Sequence, residues 1–260
     1  MQARSISYFS LFILFIIWSP TLMAQNKKDN QGRKQGHWVK YKDGVKFYEG
    51  QFQDNYPIGE FVRYFPSGRV LMKSYYSDKG KRRFTEFYYD KRKSQMKAQG
   101  LYLNKKKDSL WLIYNESGVL ISEEYYTNDT ANGLWKLHDY HGRLLKETPY
   151  KYGYIDGIQN EYFENGSLKR VITFTMDSLN GPMDIYYPSG EKRVEAYYKM
   201  GIPVKTWNYY DEDGGILFTE RYEKGEMKER LNASGAPVKM EIEQDTVHLD
   251  IDPSEIDFDR

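Results

Sequence analysis

The residues able to do chemistry are few and badly spaced for it. The chain has 260 residues, four histidines (His37, His138, His141, His248) and no cysteine. Without cysteine there is no disulfide framework, no thiolate metal site and no sulfur nucleophile. His138 and His141 flank a single turn, and neither carries a third His or carboxylate at a spacing that would complete a metal site. They read as solvated turn histidines. Glu123, Glu147 and Glu195 recur at fixed positions, which suggests either a row of catalytic acids or a charged ladder facing the Lys and Arg of neighbouring strands. The ladder is the simpler reading. No Gly-x-Ser-x-Gly elbow, phosphate loop or dinucleotide fingerprint occurs. No catalytic, cofactor-binding or metal-binding residue is assigned, and the chain is not read as an enzyme.

What positions these residues is a repeat. Residues 59–76 read GEFVRYFPSGRVLMKSYY and residues 181–198 read GPMDIYYPSGEKRVEAYY. Units of this kind start at Gly36, Gly59, Arg83, Ser109, Gly133, Gly157, Gly181 and Lys205, at intervals of 23–26 residues. An aromatic ring stands two residues in at Trp38, Phe61, Trp111, Trp135 and Trp207. A ring stands five residues in at all eight: Tyr41, Tyr64, Tyr88, Tyr114, His138, Tyr162, Tyr186 and Tyr210. A fixed period in this range signals a repeat architecture. Pro-Ser-Gly at 66–68 and 188–190 reads as a type I turn closed by a positive-φ glycine, which returns the chain as a hairpin. The Tyr-, Phe-, Trp- and Val-rich flanks read as strands.

About eight hairpins, or roughly sixteen short strands, follow from this reading. The second and fifth positions point to opposite faces, so both faces carry aromatic rows. The predicted fold is all-β: an elongated single-layer meander or open solenoid of antiparallel hairpins. Apolar residues are 40% of the chain and mean hydropathy is −0.79, yet there are 25 tyrosines and the net charge is only +1. Aromatic richness with near-zero net charge excludes wholesale disorder.

Residues 1–24 stand apart. A basic start at Arg4, an apolar run from Tyr8 to Trp18, and Ala24 before Gln25 have the form of a secretory signal peptide. The expected organisation is a signal peptide (1–24), a linker (25–35), the repeat domain (36–230) and an acidic tail or cap (231–260). Cleavage near Ala24/Gln25 would place the mature chain in the periplasm or outside the cell.

The stretches GHWVKYKDG, GEFVRYFPSG, GLWKLHDYHG, GPMDIYYPSG and KTWNYYDEDG resemble the variant MORN repeat of bacteria (membrane occupation and recognition nexus), over roughly residues 32–230. The third unit, 83–108, lacks the turn glycine and matches poorly. The resemblance implies a β-hairpin repeat used for binding or scaffolding, and it supplies no catalytic residues. Some members are labelled antitoxin-like, which sits badly with export.

Charge marks where the repeat departs from itself. Residues 79–107 hold eleven basic residues against two acids, among them Lys81, Arg82, Arg83, Lys91, Arg92, Lys93, Lys105, Lys106 and Lys107. They form a candidate docking patch for a lipid headgroup, an acidic glycan or an acidic protein; export argues against nucleic acid. Residues 241–260 hold eight acids and one base. This tail is read as a solvated tail, a cap on the last strand edge, a cover for the basic patch, or a weak divalent-cation site. Three functions follow: a non-enzymatic exported scaffold that binds a protein or envelope component, with self-association by edge pairing as a further option; a cell-wall glycan module; and an antitoxin-like neutraliser. The Trp38, Trp111, Trp135 and Trp207 row separates the first two, because a glycan binder needs those rings open.

Overall fold

The structure, a computed structural model, describes residues 25–238. Residues 1–24, read above as a signal peptide, the acidic run 241–260 and His248 lie outside the described residues. All strands belong to hairpins that follow one another in chain order, each antiparallel to the last, in one open sheet. The described residues contain no α-helix, only one 3-10 turn at Asp78–Gly80. Twenty-one strands are present rather than about sixteen. Part of the excess is local: the strands at Thr130–Ala131 and Gly133–His138, Tyr154–Ile155 and Gly157–Tyr162, and Ile202–Pro203 and Lys205–Tyr210 are each one crossing of the sheet interrupted by a single residue.

The hairpin turns alternate along two edges. On the wide-turn edge, Pro-Ser-Gly closes as expected. Tyr187 N–H donates to Glu191 O (2.8 Å) and Gly190 N–H to Tyr187 O (2.9 Å), with Gly190 at φ 99°. Asn115, Asn165 and Asn232 use their side-chain oxygens to accept from the N–H groups of residues two to four further on in these turns. On the opposite, tight-turn edge the strands are joined mostly by two-residue turns at 54–55, 104–105, 128–129, 152–153, 176–177, 200–201 and 224–225, with both residues at positive φ. This is the mirror-image turn that matches the strand twist.

Backbone bonds staple successive tight turns. Asn104 N–H donates to Lys81 O, Asp129 N–H to Lys107 O, Gly153 N–H to Ala131 O and Asp177 N–H to Ile155 O, at 2.7–2.9 Å. Each repeat is thereby tied to the next.

The glycine that opens most units has a second role. Gly133 sits at φ 125° and marks a bulge at which the strand slips past its neighbour. The same slip at 109–110 places Gly100 opposite Trp111 and Leu101 opposite Asp108. The bulge turns a backbone carbonyl toward the indole. Trp111 Nε1 donates to Leu101 O (3.1 Å), Trp135 Nε1 to Tyr125 O (2.8 Å) and Trp207 Nε1 to Tyr197 O (3.2 Å). A buried indole N–H needs such a partner.

One row of side chains crosses the sheet from Trp38 through Gly50, Phe61, Ser74, Thr85, Gly100 and Trp111. At its far end Ile172, Met183 and Ala196 lead to Trp207 and Glu220. In the first half of the row the rings Phe61 and Trp111 lie over the glycines beside them. A Cβ added to Gly100 would sit 2.3 Å from the Trp111 ring, and one added to Gly50 would sit 2.2 Å from Phe61. The row is buried even though the sheet is one layer thick, because tyrosines of the flanking row on the same face cover it. Trp111 packs edge-on against Tyr102 at 4.8 Å, Trp135 lies between Tyr126 and Tyr150, and Trp207 lies between Tyr198 and Tyr222.

Gly100→Ala is expected to lower stability by about 1–3 kcal/mol through overpacking. Gly100 is not at positive φ, so the cost is steric. Combining it with Trp111→Leu should cost less than the sum of the two single changes in thermal denaturation; strict additivity would contradict the ring-over-glycine contact.

Candidate functional site

The four candidate tryptophans do share one face, but their stacking surfaces are occupied. Trp111 is 2% exposed and Trp207 5%. Trp38 and Trp135 are half-buried, Trp38 edge-on against Phe52 at 6.2 Å and Trp135 between two tyrosine rings. Their geometry is that of a packing ladder.

The recurring glutamates are held mainly by rings. The Tyr64 hydroxyl donates to Glu49, Tyr162 to Glu147 (2.8 Å) and Tyr210 to Glu195 (3.5 Å), each across fifteen residues. His138 Nε2 takes the same place beside Glu123 at 3.8 Å. Of the expected Lys ladder, Lys136 does pair with Glu147 (3.7 Å). The fifth-position ring of one unit therefore caps the carboxylate of the unit before it. Spacing of the two residue types, fifteen apart, carried this pairing in the sequence. His141 stacks on Tyr140 in an exposed turn. Among the described residues, no group of three or more His, Asp or Glu side chains is placed to hold a metal ion.

The run of basic residues is divided by the hairpin. Lys81, Arg82 and Arg83 lie at the tight-turn edge with Lys105, Lys106 and Lys107. Lys91, Arg92 and Lys93 lie in the turn at the far end of the strand Arg82–Tyr88, about 20 Å away. There Lys91 is paired with Glu116, and Asp90 with Arg69 (3.0 Å). Continuity in sequence does not make one patch, because each strand carries the chain to the opposite edge.

The tight-turn group does form a site. Asp78–Lys81 is a longer turn than the two-residue turns around it, and a cleft of about 690 Å³ opens beside it. Lys79, Lys81, Arg83 and Lys105 line the cleft together with Tyr56, Tyr76 and Tyr102, and among the described residues no acidic side chain does. Arg83 replaces the glycine that opens other units, and the strand Arg82–Tyr88 pairs with Val70–Ser77 without a bulge. Its guanidinium lies 4.1 Å from the centre of the Tyr102 ring, and Nη1 reaches the Tyr76 hydroxyl at 3.4 Å. Its Nε is buried and, among the described residues, has no hydrogen-bond partner. Burial pushes the Tyr102 hydroxyl up, with Arg83 pulling against it, so the ring stays neutral.

Further along the same edge the turns change character. At 54, 78, 104 and 128 the first turn residue is Asp or Asn, the types that tolerate positive φ. At 152, 176 and 200 it is Tyr, Met and Met, at φ 52°, 47° and 49°. Tyr152 is 73% exposed, Met176 62% and Met200 60%. Tyr154, Ile158 and Ile202 extend this exposed apolar stripe. Nothing in the sequence patterning marked it, because periodicity reports core positions and these residues sit in turns.

A family model described as MORN repeat variant matches residues 107–128 and 155–175. The chain carries variant MORN repeats. The two matched segments are hairpins of the sheet described above, and the remaining hairpins repeat their register. No curated protein matches the chain. Among solved structures, one titled "Crystal Structure of TcdB2-TccC3" is similar at 11% identity and a TM-score of 0.23, over 80% of this chain and 14% of that one. The chain thus spans about a seventh of that protein's length, and a likeness this weak carries no argument. Variant MORN repeats make this protein a repeat scaffold involved in binding.

The tyrosine-capped carboxylates predict an acid-sensitive fold. The Tyr64 hydroxyl, and Lys46 after it, hold Glu49 below its usual 4.5, against burial. Asn208, with Lys192, does the same for Glu195. A folded pKa below the unfolded one gives stability that is present above about pH 4.5 and lost as pH falls through the folded value. Melting temperature should therefore fall from pH 5 to pH 3. A Glu49→Gln/Glu195→Gln variant should start lower at pH 7 and fall less; parallel curves would contradict the assignment.

Proposed function

We propose that the protein is an exported, non-catalytic scaffold that docks a protein partner along its tight-turn edge in the cell envelope. The observation that carries this reading is the placement of Tyr152, Met176 and Met200. Each sits in a left-handed backbone conformation that costs roughly 1 kcal/mol or more for such residues. Each also exposes an apolar side chain to water. Asn, Asp or Gly would serve the turn better, as they do in the earlier units. Residues that break a local rule without a structural compensation mark function. Successive tight turns are two strands apart, about 10 Å. The stripe thus offers a line of evenly spaced apolar anchors, with the basic cleft at one end. Export follows from the form of residues 1–24.

The cell-wall glycan reading has less support, since three of the four tryptophans it needs, Trp111, Trp135 and Trp207, pack against tyrosines. Self-association through the sheet ends is hindered at both. Lys27–Lys28 pairs with the first long strand, and Val238 N–H donates to Arg230 O on the last.

The test is the triple variant Tyr152→Asn/Met176→Asn/Met200→Asn. It should melt at the same temperature or higher, because Asn suits the turn, while losing the envelope proteins that the parent chain captures. Unchanged capture by the folded variant would refute docking along this edge.

A further inference from the structure

The cleft at Arg83 and the apolar turns beside it share a complement within the same chain. We propose that the cleft is an acidic-peptide site whose resident ligand is this protein's own segment 241–260. The proposal needs no external partner, so it stands or falls separately from docking in the envelope.

Three observations carry it. The first is charge. Lys79, Lys81, Arg83 and Lys105 line the cleft, and among the described residues no acid lines it and the buried Arg83 Nε has no hydrogen-bond partner. Residues 241–260 hold eight carboxylates and one base. A guanidinium stacked on a tyrosine offers a carboxylate a fixed fork of donors, and the lysines offer mobile point charges.

The second is pattern. Val247, Leu249, Ile251, Ile256 and Phe258 are interleaved with the acids. The edge leading to the cleft is apolar at Met200, Met176 and Tyr152, passes the Asn128–Asp129 turn, where Asp129 accepts from the Lys107 N–H, and is basic from Lys107 to Lys79. The segment and the edge are complementary in both respects.

The third is reach. The described residues end at Val238, beside Arg230 on the last strand. The cleft lies ten to twelve strands away, roughly 50–60 Å at the strand spacing of a sheet. Residues 239–260 span at most about 75 Å when extended. Only the last acids, Glu255, Asp257 and Asp259, can therefore reach the cleft, after the apolar part has passed the apolar turns. A partner that binds this edge must displace the segment first, so partner affinity is reduced by the fraction of time the edge is covered.

The absence of cysteine makes the test clean. Asn104→Cys in the cleft is paired with Asp257→Cys in the full mature chain. The reference pair is Asn165→Cys with Asp257→Cys. Asn165 lies on the wide-turn edge and is nearer to Val238, so an unattached segment would find it first. Seating in the cleft predicts an intramolecular disulfide at 104 that forms on the order of tenfold more readily than at 165, seen as a monomer of shifted mobility on non-reducing gels. Lys79→Glu/Lys81→Glu/Lys105→Glu should abolish the preference while circular dichroism shows the sheet intact. Faster bridging at 165, or a preference that survives charge reversal, overturns the proposal. Bridged dimers that grow with protein concentration also overturn it, in favour of a second copy as the occupant.

Discussion

Everything in this sheet depends on an aromatic ring lying over a residue with little or no side chain. A single-layer sheet has no second layer to bury its rings against, so it must bury them within the plane of its own face. Trp111 over Gly100 and Phe61 over Gly50 do this, with tyrosines from the flanking row closing the sides. Where a unit carries Trp111, Trp135 or Trp207, the bulge that opens it completes the arrangement by turning a carbonyl toward the indole N–H. Ring, glycine and bulge form one device in the units of Phe61 and Trp111. The staples between tight turns then fix how each copy follows the last.

This device explains why the most suggestive residues are architectural. The tryptophans are where a sugar binder would place them, and the glutamates recur as catalytic acids would. The first are sandwiched, and the second accept hydrogen bonds from the Tyr or stand beside the His of the following unit. What the device leaves free is the turns. A two-residue turn with both residues at positive φ constrains the backbone and not the side chain, so the tight-turn edge can vary from unit to unit without disturbing the sheet. It is acidic or amidic at 54 and 128, basic from 79 to 107, and apolar at 152, 176 and 200. A scaffold of identical hairpins acquires an address along one edge in this way.

The hairpins, their order and the opposed aromatic rows were legible in the sequence, because a period near 24 residues and the Pro-Ser-Gly turns are strong local signals. Three features were not. The tight turns share no letter: Asp-Asn, Asn-Lys, Tyr-Gly and Met-Asp all serve, since the requirement is on φ alone. The unit-opening glycine read as a start mark, whereas its physical role is a bulge felt by the neighbouring strand. The basic run 79–107 read as one patch, but alternate turns lie on opposite edges, so Lys91–Lys93 part from Lys81–Arg83 and Lys105–Lys107. Only strand pairing, which is non-local, brings Arg83 between Tyr76 and Tyr102.

The central claim is that binding uses the tight-turn edge and leaves the aromatic rows and the wide-turn edge bare. It is tested most directly by placing a photo-crosslinking amino acid at position 176 in one chain and at position 140 in another, in cells that express the protein. Tyr140 is an exposed aromatic on the wide-turn edge and so controls for stickiness. The account predicts a discrete cross-linked protein adduct from position 176 and none from 140. An adduct from 140 with none from 176 would contradict it.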